Sequence, residues 1–238
     1  MLVHFDWESL TDSVHRCRLP FLDVTVGLVQ GSTAALLVDT GSTLTEAHAI
    51  RDDVRQIAGR EATHVVLTHK HFDHVLGSGG FADAQIFCAP EVLDYLTTDV
   101  DQLRDDALSY GADATEIDHA IAALRAPHHP VDDGVVELGN REVSIMRPGP
   151  GHTDSDLVVS VPGAAGERTV VFAGDLIEES GDPAIDADSD VTAWPDTLHR
   201  LLAIGGPDAI YVPGHGRVVD AEFVRHQQDW LRRYRRKR

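Results

Sequence analysis

No apolar run in this chain of 238 residues approaches the ~20 needed to span a bilayer, so no membrane helix is expected. The opening "MLVHFDWESL" has no basic stretch followed by an apolar one, so no secretion leader is expected either. Cysteine is nearly absent. Cys17 and Cys88 form neither a disulfide framework nor a CxxC zinc pattern, which suits a reducing cytoplasm, and each reads as a small buried hydrophobe. Basic residues are few: 20 Lys and Arg face 39 Asp and Glu, a net charge of −19 that argues against DNA or RNA as a partner. The exception, the terminal "WLRRYRRKR", reads as a solvated helix end whose cations suit the negative end of the helix dipole. Short-period repeats and low-complexity linkers are also missing.

What is present is an alternation of strand and helix. "VTVGLVQG" and "AALLVDTG" are short β-rich runs bounded by turn residues. "TLTEAHAIRDDVRQIAG" repeats apolar residues with helical spacing and ends on Gly59, a residue suited to a helix C-cap. "HVVLTH" reads as a strand buried on both faces, followed by "AQIFCAP" and a helix opening at Pro90. Between about residues 97 and 130 the chain turns polar, acidic and helix-prone, broken at Gly111. Leu103, Leu108, Ile117, Ile121 and Leu124 then mark one face of a helical hairpin, free to cover the domain body, a substrate or a second subunit in a homodimer. Strands resume with "GVVELG", "EVSIMRPG", "DLVVSVPG", "RTVVFAGD" and "AIYVPGHG". Two stretches echo one another: a strand ending in Asp39 or Asp175, a helix, then a strand running toward His69 or His215.

The densest chemistry lies in "THVVLTHKHFDHVLGSGG", which places His69, His71, Asp73 and His74 just after an apolar strand. A soluble loop does not need such crowding, and a core could not bury these groups unpaired. On an extended chain His69, His71 and Asp73 share a side, whereas residues two apart on a helix do not. Two imidazoles on one side can hold a metal ion, and Asp73 with His74 can address a second. Further along, "PGPGHTDSD" offers His152, "VVFAGDL" offers Asp175 and "IYVPGHG" offers His215, each beside a predicted strand. Imidazole and carboxylate without thiolate suit Zn²⁺, with Fe or Mn as the alternatives.

This constellation resembles the metallo-β-lactamase superfamily, from "VDTG" at Asp39 to "PGHG" at His215. The resemblance implies an α/β architecture, a four-layer αβ/βα sandwich of two mixed β-sheets with helices outside, formed by one domain over residues 1–238. The family's HxHxDH pattern falls on His69, His71, Asp73 and His74. By that resemblance His69, His71 and His152 bind one zinc ion, Asp73, His74 and His215 bind a second, and Asp175 bridges. It also implies a hydroxide, formed because metal ions lower the pKa of water to roughly 7, that Asp73 helps to orient. Asp39 reads either as orienting a ligand or as a strand-end turn residue. Lys70 is expected to point away from the metals, and His128 and His129 to sit in a solvated loop.

Within the superfamily, Asp175 at the bridging position departs from the true β-lactamases, and the acidity of the chain departs from the nuclease branches. An ester, lactone or thioester of small-molecule size is the expected substrate. A phosphodiester, or sulfur dioxygenation at a single iron, are the alternatives.

Overall fold

A computed structural model describes residues 3–235. The first sheet has seven strands in chain order. They are β1 (Glu8–Ser9), β2 (Val14–Arg18), β3 (Thr25–Gln30), β4 (Ala35–Val38), β5 (His64–Val66), β6 (Gln85–Cys88) and β7 (His129–Pro130). β1 to β4 form an antiparallel meander, and β4 to β7 are parallel, so the sheet is mixed. The second sheet runs in the order β12 (Ile210–His215), β11 (Val170–Glu178), β10 (Val158–Val161), β9 (Glu142–Met146), β8 (Gly134–Glu137). It too is mixed, antiparallel except for the β11–β12 pair.

Period-2 alternation in the second sheet explains the layering. Val159, Val161, Val170, Phe172, Ile210 and Val212 join the large core shared with the first sheet. Their neighbours Val158, Val171, Ala173 and Tyr211 pack on the other side. There they meet Trp194, Leu198 and Leu201 of α6 (Trp194–Gly205), and Val224 and Leu231 of α7 (Ala221–Arg235). Every residue of β11 is therefore buried, as expected of a strand covered on both faces.

On the first sheet, α1 (Leu44–Ala58) begins with a capping box in which Thr43 and Glu46 satisfy each other's backbone N–H groups. It ends on Gly59 in the left-handed region, φ 68°. Ala47, Ile50 and Val54 form its buried stripe. The halves repeat one unit, since β4–α1–β5 and β11–α6–β12 are each a parallel pair joined through a helix.

The short helix α2 (Phe72–Val75) follows β5, and α3 (Pro90–Thr98) follows β6. The acidic excursion is a helical hairpin, α4 (Val100–Ser109) and α5 (Ala114–Ala123), turning at Gly111. Its apolar face covers the body of the fold: Leu103 and Ile117 are fully buried in the main core, with Ile121 and Leu124 packed against it. Leu108 departs from that face and is half-buried. His129 also departs from expectation. It pairs with Phe87 as edge strand β7 and stacks on that ring at 4.8 Å, while His128 is exposed. Pro130 fits there because an edge strand tolerates proline. Of the basic tail, residues 236–238 lie outside the described residues, while Arg232 and Arg233 are exposed on α7. Among the described residues no helix is long and apolar enough to cross a membrane.

Candidate metal centre

The seven predicted ligands converge where the C-terminal ends of β5, β11 and β12 meet. The chain leaves β5 at Val66, so His69 and His71 stand in the connection, and His71 caps α2. Asp73 is therefore helical, beside His74, rather than a continuation of the extended face that the spacing suggested. Phe72 and Val75 anchor this single turn in the core. The Asp39–Thr40–Gly41 turn clamps it: Thr40 donates from both its backbone N and its hydroxyl to the carbonyl of His74, and the backbone N–H of Gly77 donates to Gly41.

Two groups of donors form. In one, His69, His71, His152 and Asp175 each offer an atom within 4.8 Å of the others, and in the second Asp73, His74 and His215 do the same. Between the groups, Asp175 Oδ2 lies 3.7 Å from His69 Nε2, 3.4 Å from His152 Nε2 and 3.2 Å from His215 Nε2, and Oδ1 lies 3.3 Å from His74 Nε2. Asp73 Oδ2 stands 3.4 Å from His215 Nε2 and 3.7 Å from His74 Nε2. Ligands ~2.1 Å from a tetrahedral ion lie about 3.4 Å apart, so these separations fit a metal between them. Two buried atoms aimed into the cluster, His69 Nε2 and Asp175 Oδ1, have no hydrogen-bond partner. Such orphans are costly in a core and are what a cation would satisfy.

Four of the imidazoles are held by the nitrogen facing away from the cluster, which fixes the tautomer. His69 Nδ1 meets the Thr68 hydroxyl at 3.0 Å, His74 Nδ1 meets Asp39 at 2.9 Å, His152 Nδ1 meets the carbonyl of Ala184 at 3.1 Å, and His215 Nδ1 meets that of Leu22 at 2.7 Å. His71 is turned the other way. Its Nδ1 faces His152 at 2.9 Å, and its Nε2 lies 3.5 Å from Asp188. Asp39 satisfies both readings made of it. It is a turn residue at φ 61°, and its carboxylate accepts from His74 and from the Thr68 N–H and hydroxyl.

The backbone is shaped to allow this. β11 slips register against β12 on either side of Asp175, the irregularity by which a strand re-aims a side chain. Gly214 lets Asp175 approach, since a Cβ there would stand 1.8 Å from Oδ1. Sequence reasoning missed Leu22, at φ 56°, together with Ala184 and Asp188. It also missed Glu178, which with Asp175 and His215 forms a third group of close donors. Lys70, expected to point away from the metals, lines the cleft beside the candidate ligands, its ammonium on Asp154 and on the Asp188 that also faces His71.

Burial opposes charge on His74 and His215, yet Asp175 and Asp73, with Asp39 for His74, hold both well above the ordinary imidazole value, His215 at about 10. Burial lowers His69 well below it and brings His152 to about 4. A group whose folded pKa is raised stabilises the fold below its unfolded value and loses that contribution as pH rises through the folded one. The melting temperature of chelator-treated protein should therefore fall between about pH 6.5 and 10. Filling the centre should flatten that slope, because bound imidazoles must be neutral. A flat profile without metal would contradict this picture of the second group.

Two mixed sheets enclosing a His/Asp cluster at their strand ends define the class as a metal-binding αβ/βα sandwich. The family model of the metallo-beta-lactamase superfamily matches residues 19–215, and the chain belongs to that superfamily of metallo-hydrolases. The metallo-beta-lactamase type 2 of Bacteroides fragilis is 31% identical over 115 residues, 47% of this chain and 44% of that protein, so the match spans under half of that relative's length. Metallo-beta-lactamase domain-containing protein 1 of Xenopus laevis is 30% identical over 203 residues, covering 82% of this chain and 71% of that protein. The fold is similar to the crystal structure of the metallo-beta-lactamase FIM-1 from Pseudomonas aeruginosa in its mono-zinc form. The TM-score is 0.74 at 18% identity, over 97% of this chain and 96% of that one.

Proposed function

We propose that this protein hydrolyses a small carboxylic ester, lactone or thioester at a two-ion, zinc-type centre. In this reading His69, His71 and His152 would hold one ion and Asp73, His74 and His215 the other, with Asp175 available to both. One observation carries it: two sets of inward-facing donors meet at a single buried carboxylate with unsatisfied atoms between them. When bound, divalent ions at such a site supply a nucleophilic hydroxide near neutral pH and polarise the scissile carbonyl.

The chain's own residues do the rest. Asp73 faces the cleft and can accept a hydrogen bond from the attacking water while holding the second ion. The cleft measures about 580 Å³, within the range for small-molecule sites. Phe72, Tyr95 and Tyr110 give it an aromatic wall on the side of α3 and α4. Tyr110 is 56% exposed, with its ring centroid 5.7 Å from that of Phe72.

A second reading, amide hydrolysis in a β-lactam ring, is favoured by the names of several relatives, and Asp175 at the bridging position argues against it. The test is metal analysis of protein purified with zinc, followed by a hydrolysis panel of esters, lactones, thioesters, phosphodiesters and β-lactams. About two zinc ions per chain with turnover of the acyl compounds is expected. Metal content near zero sinks the reading, and one iron per chain favours sulfur dioxygenation. Because the α4–α5 hairpin also supplies core residues, point changes suit it better than deletion. Tyr110→Ala should alter KM and the ranking of acyl groups while metal content stays unchanged.

A further inference from the structure

The cleft above the metal centre is charged unevenly. Outside the proposed ligand set its lining carries Glu178 and Asp188 close to the centre, Asp188 within 3.5 Å of His71 Nε2, and two carboxylates higher on the walls, Asp106 from α4 and Asp186 from the connection between β11 and α6. Apart from the imidazoles, its one cationic lining residue is Lys70. That ammonium is already engaged. It lies 2.8 Å from Asp154 and 3.2 Å from Asp188, 5.6 Å from the ring centroid of Tyr95, with 13% of its side chain exposed. The remaining polar groups at the rim are neutral. Gln102 offers an amide, and Tyr95 and Tyr110 offer phenols that stay protonated because burial and then the surrounding carboxylates push both upward, Tyr95 to about 12.

We propose that this mouth is a charge filter: it admits a substrate that is neutral or cationic where it passes Asp106 and Asp186, and rejects one bearing a carboxylate there. The inference deepens the proposed function and rests on it. A carboxylate in the mouth would meet Asp106 and Asp186, with Asp188 already shared between Lys70 and His71, and would find no unengaged Lys or Arg in the described cleft lining. A cleft lined by one sign of charge between apolar walls also focuses its field along the entry path. Charge at the floor is the same with and without Asp106 and Asp186, so the change on replacing those two residues reports the mouth alone. The class this selects is an uncharged or amine-bearing ester or lactone. It disfavours β-lactam antibiotics whose ring system carries a carboxylate.

Thiols that ligate metal read this without turnover. Cobalt(II)-substituted protein is titrated with three benzyl thiols bearing a para carboxylate, hydroxymethyl or aminomethyl group, followed by the thiolate-to-cobalt absorption. The rigid ring keeps the para group away from the ions. At low ionic strength the neutral and cationic thiols should bind at least about tenfold more tightly than the carboxylate, as like-charge juxtaposition demands. The gap should shrink in high salt, since exposed charges are screened. Asp106→Asn combined with Asp186→Asn, neither of them a ligand, should narrow it with the cobalt spectrum unchanged. Equal or tighter binding of the carboxylate, or a gap unmoved by the double variant, overturns the filter alone. Absence of any cobalt–thiolate band overturns the metal-centre reading and the filter with it.

Discussion

Replacing His69 and His71 together with alanine should give a folded protein with about one metal ion per chain instead of about two and no measurable hydrolysis. Both rings belong to the donor group that includes His152, and Asp175 cannot complete that group with His152 alone. A loss of at least ~10³-fold in kcat/KM is expected, since removing a single electrostatic stabiliser already costs 10²–10³. His69 is 1% exposed, so its removal also leaves a buried gap, and the melting temperature must be followed beside activity. Wild-type metal content with retained activity would show that these histidines are not ligands.

Asp73→Asn should separate binding from chemistry. The amide keeps the shape of the carboxylate and leaves the His69, His71 and His152 group untouched, so the first ion should stay. It removes a negative charge within 3.4 Å of His215, weakening the second ion, and takes away the carboxylate that would orient the attacking water. We expect kcat to fall by about 10²–10³-fold with a smaller change in KM, the signature of an interaction made mainly in the transition state. Wild-type turnover would remove Asp73 from its assigned role.

What could be read in advance follows a physical line. The candidate ligands declare themselves through residue type, because few other reasons place histidine and aspartate beside apolar strands, and the order from His69 to His215 is visible in one pass. The capped helix α1 and the hairpin around Gly111 are legible for the same reason: helical spacing and terminal residues are local. Backbone acceptors are not. The carbonyls of Leu22 and Ala184 that hold His215 and His152 carry no residue-type signal, and a left-handed leucine cannot be foreseen from its neighbours. Asp188 was hidden among the acidic residues of "DADSD", where only the folded chain shows which one reaches His71. The edge strand at His129 is two residues long and exists only through its pairing with β6, so no local pattern announces it.

The cluster also has a mechanical meaning. His74 and His215 are 141 positions apart in sequence and His71 and His152 are 81 apart, yet each pair meets within 3.4 Å. An ion gripping such a pair is a cross-link, closing loops that an unfolding chain would otherwise open. In a disulfide, ring closure of ~100 residues is worth about 4–5 kcal/mol in the chain-entropy model. Cys17 and Cys88 are both free, so the described chain has no disulfide of its own. Metal would then be the rivet between the two sheets, and a chelator would act on this protein much as a reductant acts on a secreted one. Demetallation would loosen the seam where β12 meets Leu22 and Val24 while the shared core keeps the sheets together, so metal supply would bear on the protein's stability as well as on its activity.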